Sequence, residues 1–240
     1  MNYLKNILYS LLIVLFLSSG SFAMQSNSVL SQIEGSSLKT YSVDYENLSG
    51  SVKIVGSPLF KGEFTDGKVI FSSELVSNNV KLNYDTYTNQ VIFVENDSYF
   101  VVPNQSIKGF YFLDGNGNTT EAFLSGFESK KENVDTETYM EIIYNGDVKL
   151  FNYHYTKYRK DEANIYNPRE TDYYTNNSKY LLMNKDGDLK KIKLKESDIL
   201  KALGNNKNEL KKFIQDNALY LGNTSDVKKL LSYYDTLNMK

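Results

Sequence analysis

Four short apolar runs lie between Glu63 and Pro103: Lys68-Val-Ile-Phe-Ser72, Val80-Lys-Leu-Asn-Tyr84, Gln90-Val-Ile-Phe-Val94 and Tyr99-Phe-Val-Val102. In the second run Val80, Leu82 and Tyr84 alternate with Lys81, Asn83 and Asp85, and a period of two puts the apolar set on one face of a half-buried strand. Turn-forming residues separate the runs, Asn78-Asn79 before the second and Asn96-Asp97 before the fourth. Strands this close in sequence leave no room for a helical crossover, so neighbours are expected to pair antiparallel.

The same rhythm extends both ways. Val52–Val55 reads as a first strand, ended by Gly56-Ser-Pro58, and Leu59–Phe64 as a second, turning at Asp66-Gly67. Ile107–Leu113 follows, ended by Asp114-Gly-Asn-Gly-Asn118, and Leu124–Asp135 is a polar break. Tyr139–Tyr144 and Val148–Tyr155 flank Asn145-Gly146, the pair favoured in a type I′ turn. Bulky residues on both faces of Val148–Tyr155 predict a strand inside the sheet. Thr156–Ser178 has no clean period and reads as a long loop, a length that in compact domains goes with function or disorder. Lys179–Met183 and Leu189–Leu194 form a last hairpin around Asp186-Gly187.

From Glu196 the period becomes helical. Ile199, Leu200 and Leu203 share a stripe that Gly204 stops. Asn206 and Glu209 resemble a capping box ahead of Leu210, Phe213 and Ile214. Thr224 or Ser225 caps a third helix carrying Val227, Leu230, Leu231 and Tyr234. The expected fold is therefore α+β: a mostly antiparallel β-sheet or open barrel over 52–194, with a C-terminal cluster of short amphipathic helices over 195–240 packed on it.

The N-terminus carries an address. Lys5 precedes the almost wholly apolar Ile7–Leu17, and Ser21-Phe22-Ala23 offers small residues around a cleavage point. Residues 1–23 thus read as a secretory signal peptide whose apolar run is short for a membrane span, and 24–51 as a loose N-terminal arm. The expected location is outside the cytoplasm: periplasmic, outer-membrane-associated or extracellular. After cleavage the chain is not expected to span a membrane. Long alternating lipid-facing strands are lacking, which disfavours an outer-membrane barrel.

Composition removes several chemistries. With no cysteine in 240 residues there is no thiol nucleophile, zinc–cysteine site or iron–sulfur cluster. A net charge of -2 with two arginines, Arg159 and Arg169, argues against nucleic acid as partner. His154, the one histidine, sits mid-strand between two tyrosines, and no Gly-x-Ser-x-Gly elbow is present. Asp114–Glu121 lacks the glycine and terminal glutamate of a calcium-binding EF-hand loop. Carboxylate sets such as Asp44 with Glu46, or Asp135 with Glu137 and Glu141, leave a carboxylate-based hydrolase as one alternative. A purely structural periplasmic protein is another. No catalytic residue, metal ligand or cofactor is expected.

The main expectation is a non-enzymatic envelope protein that binds another protein or a surface glycan. Tyr155, Tyr158, Arg159, Tyr166, Arg169, Tyr173 and Tyr174 are the candidate binding residues. Tyrosine joins a large apolar face to a polar tip, which suits stacking on sugars or anchoring a protein.

Two stretches resemble a group of secreted proteins of Gram-negative bacteria with no established activity. One is Gly56-Ser-Pro-Leu-Phe60 with Phe64, Gly67 and Asn79–Phe93; the other runs from Leu194–Leu203 through Leu230–Leu237 with its Tyr233-Tyr234 pair. Lys81 stands where those chains often have proline, and Asn89 where they often have an acid. The resemblance covers about half of the mature chain. It implies envelope location and fold, and supplies no catalytic residues.

Overall fold

A computed structural model describes residues 52–95 and 97–237. The targeting segment, the N-terminal arm, Asp44 and Glu46 lie outside them. Eleven strands form one mixed, mostly antiparallel sheet: β1 (Val52–Val55), β2 (Thr65–Phe71), β3 (Val80–Asp85), β4 (Gln90–Glu95), β5 (Ser98–Val102), β6 (Ile107–Leu113), β7 (Thr119–Leu124), β8 (Met140–Asn145), β9 (Lys149–Asp161), β10 (Glu170–Met183) and β11 (Leu189–Ile192). Three helices follow, α1 (Glu196–Leu203), α2 (Lys207–Asp216) and α3 (Thr224–Leu237). Among the described residues no helix is long and apolar enough to cross a membrane.

The strand order is β1-β10-β9-β8-β7-β6-β2-β3-β4-β5, with β11 also on β10. β1 runs parallel to its neighbour β10, pairing Val52 with Glu170 and Val55 with Tyr173. The link from β5 to β6 imposes curvature. β5 and β6 point the same way and stand four places apart, about 19 Å across a flat sheet. The chain from Val102 to Ile107 reaches at most about 18 Å, before it has climbed back the length of a strand. The sheet must therefore coil, which brings Val91, Phe93 and Val102 into one core with Phe110, Phe112, Phe123 and Tyr139.

The described residues divide into two compact units, one within 52–142 and 151–181, the other within 143–150 and 182–237; β8, β9 and β10 contribute to both. The first contains the ring-rich core. In the second, Ile199, Leu200 and Leu203 of α1, Leu210 and Ile214 of α2 and Val227, Leu230, Leu231 and Tyr234 of α3 are buried, the stripes expected from the helical period. Gly204 ends α1 at φ +78 and its N–H donates to Leu200 O.

Five sequence expectations are corrected. Leu59–Phe64 forms no strand, and Asp66-Gly67 makes no hairpin but lies inside β2. The fully buried Asn83 takes the place of a partner strand: its Oδ1 accepts from Lys61 N and its Nδ2 donates to Lys61 O and Glu63 O. Gly67 serves close approach, since a Cβ there would stand 2.5 Å from Tyr111 O. Second, the long loop 156–178 is mostly strand, with only 162–169 left as connection. Exposure on both faces erased the apolar period, while the β-branched and aromatic content still favoured extension. Third, β7 precedes the polar break unannounced, because only its Phe123 is fully buried. Fourth, neither Asn145 nor Gly146 has positive φ, so the turn is not type I′. It spans Gly146–Val148, closed by Gly146 N–H on Val148 O at 3.0 Å. Glycine is needed because a Cβ would meet Asp235 Oδ2 at 2.0 Å. Fifth, Asn206 is left-handed (φ 56) and makes no side-chain cap; at α3 the cap is Asn223, whose Oδ1 accepts from Asp226 N at 2.8 Å.

Candidate functional site

β9 has 13 residues and β10 has 14, against six in β8. The outer part of the β9–β10 hairpin therefore extends beyond β8. On one of its faces three tyrosine rings meet. Tyr158 and Tyr174 lie 5.4 Å apart between centroids, and Tyr87, from the turn after β3, completes the group at 5.9 Å from Tyr158 and 6.0 Å from Tyr174. Tyr87 is 50% exposed and Tyr158 39%.

Local chemistry fixes the backbone that carries the rings. Asp85 Oδ1 accepts from the backbone N–H groups of Tyr87 and Thr88, which turns the chain outward at Tyr87. The turn is then tied to the hairpin. Thr156 N donates to Thr86 O, the Thr86 and Thr156 hydroxyls lie 2.6 Å apart, and Thr156 Oγ1 donates to Asn176 Oδ1 at 2.6 Å. Thr86 Oγ1 also bonds Pro58 O. Next to Tyr174, Gly56 at φ +83 approaches so closely that a Cβ would stand 2.1 Å from Tyr174 O.

Tyr158 donates its hydroxyl to Asp172 Oδ1 at 2.9 Å, and that bond raises its pKa. Burial raises the Tyr174 pKa, with Asp172 and Tyr87 adding to it. Both phenols are therefore neutral hydroxyls at physiological pH. The surrounding charges are matched: Lys160 pairs with Glu170, and Arg159 with Asp161 at 3.2 Å. Between Lys157 and Asp172 four cations face four acids.

Of the seven residues expected from sequence, Tyr158 and Tyr174 belong to this group. Arg159 lies over the ring of Tyr173 at 4.5 Å, a separate pair. Tyr155 packs on Tyr153 at 5.6 Å. Tyr166 stands in the hairpin connection at 91% exposure, and Arg169 is exposed in the same connection. Sequence reasoning missed Tyr87 and Asp172. The signal for Tyr87 was available in Asp85-Thr-Tyr-Thr-Asn89, a turn with an aromatic residue at its centre.

Other candidates resolve into local structure. His154 Nε2 lies 2.8 Å from Glu141 Oε2 and 3.0 Å from Asn152 Nδ2, and the ring packs edge-on to Phe60. Asp135 Oδ1 accepts from Glu137 N and from the Thr138 hydroxyl, so it holds its own turn. Asp114 likewise closes the β6–β7 turn, and its bonds from Asn118 lower its pKa. Among the described residues no group of three or more His, Asp or Glu side chains can hold a metal ion. In the helical unit an open depression of about 530 Å³ lies beside Phe213 and Tyr233, whose rings stack at 4.0 Å. Comparison with protein-family models, curated proteins and solved structures finds no match, so the functional reading rests on the geometry of the tyrosine group.

Proposed function

We propose that this is an exported, non-catalytic protein of the bacterial envelope that binds a neutral surface glycan through Tyr87, Tyr158 and Tyr174. The observation that carries the reading is the group of three part-exposed rings in mutual contact, with the Tyr158 hydroxyl bonded to Asp172 and the Tyr87 backbone held by Asp85. The C–H face of a pyranose ring is apolar and its rim is hydroxylated. Tyrosine meets both needs, with an apolar ring and a protonated phenol. Asp172 supplies an acceptor for a sugar hydroxyl beside Tyr158. Matched charges around the rings favour an uncharged ligand over a phosphate or nucleic acid. The pattern of Lys5, Ile7–Leu17 and Ser21-Phe22-Ala23 supports export.

The test is affinity electrophoresis of the mature protein through gels that contain soluble neutral polysaccharides such as laminarin, xyloglucan or pullulan. Retardation in at least one gel is expected, with loss of retardation in Tyr87→Ala/Tyr174→Ala. Equal mobility in every gel, with equal recovery of envelope proteins by wild type and variant, overturns the reading. Polysaccharide shortened by the wild type, with that activity lost in Glu141→Gln, favours the hydrolase.

A further inference from the structure

The described residue with the highest exposure among the large hydrophobics is Tyr166, at 91%, and its neighbour Ile165 follows at 89%. Both sit in the connection between β9 and β10. They are presented, not loose: Asn164 Oδ1 accepts from the N–H groups of Tyr166 and Asn167 at 2.9 and 3.0 Å, and Asn164 N donates to Asn167 O at 2.7 Å. Pro168 follows. An isoleucine 89% exposed on a built turn, beyond the reach of β8, has no packing role among the described residues.

We infer that the Ile165–Tyr166 tip dips into the interfacial layer of a lipid bilayer. Area decides against a protein or a second copy as occupant. A stable protein interface takes about 800 Å² from each partner, whereas an aromatic side chain buries about 150–250 Å², so two adjacent side chains fall well short. A lipid interface accepts a narrow convex tip. It suits a residue with an apolar ring and a wet hydroxyl, the property that concentrates tyrosine at membrane–water boundaries. Charge points the same way: with Lys160 paired to Glu170 and Arg159 to Asp161, the neck of the hairpin is balanced. Binding is therefore driven by apolar insertion and does not require anionic lipid. Two side chains make a reversible contact, well below a permanent anchor. This inference does not depend on the glycan reading.

The chain has no tryptophan, so one introduced residue reports alone. In Tyr166→Trp, phosphatidylcholine vesicles are expected to shift the emission to the blue, and brominated lipid to quench it. Tyr220→Trp, at a site 71% exposed in the other unit, is expected to show neither effect. Sedimentation with the same vesicles is expected to fall at least about tenfold in Ile165→Ser/Tyr166→Ser, and to change little when phosphatidylglycerol or salt is added. An unshifted Tyr166→Trp spectrum overturns the proposal. So does a shift that follows protein concentration without lipid, which reports self-association, or binding that appears only with phosphatidylglycerol.

Discussion

Two groups of rings in this molecule have similar spacing and different reasons to stay together. In the core, Phe110 lies 4.8 Å from Phe123, 5.3 Å from Tyr84 and 5.4 Å from Tyr139. On the hairpin, Tyr87, Tyr158 and Tyr174 are 5.4–6.0 Å apart. The core rings are removed from water, so burial chiefly orders them, with the Tyr84 hydroxyl also donating to Asn89 Oδ1 at 2.9 Å. The hairpin rings keep much of their surface wet, and their order comes from Asp85, the Thr86–Thr156–Asn176 chain, Asp172 and the approach of Gly56. Ring spacing therefore says little about role. What distinguishes a packed cluster from a presented one is the source of its rigidity.

The largest test of that contrast is Phe123→Ala, which removes a fully buried ring that touches Phe60, Tyr84, Phe110 and Phe112. A loss of about 3–5 kcal/mol in urea denaturation is expected. Thr156→Val comes next. It leaves volume nearly unchanged but strips a buried hydroxyl from Thr86 and Asn176, and should cost about 1–3 kcal/mol. It should also weaken polysaccharide retention by freeing Tyr87, an effect that Phe123→Ala, assayed well below its unfolding midpoint, should not share. Tyr87→Ala inverts the pattern, with a stability change under about 1 kcal/mol and the full loss of retention. A Tyr87→Ala midpoint as low as that of Phe123→Ala would erase the distinction between the two groups.

The smallest effect is a titration. The Tyr158 pKa is raised, first through its bond to Asp172. Because the folded value lies above the unfolded one, this contribution to stability is complete below about pH 10 and is lost as pH rises through the raised value. In Asp172→Asn, ultraviolet absorbance should show one tyrosine ionising earlier than in the wild type. The core phenols of Tyr84 and Tyr139, raised chiefly by burial, should stay where they were. Ionisation of Tyr158 at an unchanged pH would mean that Asp172 does not hold it in solution.

Legibility in sequence followed burial. β6 and the three helical stripes announce themselves because one face of each is drier than the other, which writes a period into the residues; β4, buried on both faces through Val91, Ile92 and Phe93, shows as a short apolar run between turns, and β3 alternates in sequence although Asn83 and Asp85 are buried too. β7 and the outer halves of β9 and β10 have no such contrast, and the exposed part of the hairpin read as loop. Asn83 was opaque for another reason: a buried amide that replaces a strand partner has no local signature, since three of its four bonds reach back some twenty residues. Two of the three rings of the tyrosine group were visible as a local excess of tyrosine around β9 and β10. Tyr87 was legible only as the centre of a turn, because its place beside the other two depends on the tie between Thr86 and Thr156, seventy residues apart. The parallel β1–β10 pairing, set by residues far apart, left no mark in the neighbouring sequence at all.

That pairing also has a consequence in time. Val52 finds its partner only when Glu170 exists, and loops of this size close slowly and late. In a chain that emerges N-terminus first, the wait lasts until Glu170 has followed. Throughout it, a short strand with Ile54 and Val55 has no native ladder to join, so the first ribbon of this protein is among the last to be sewn in.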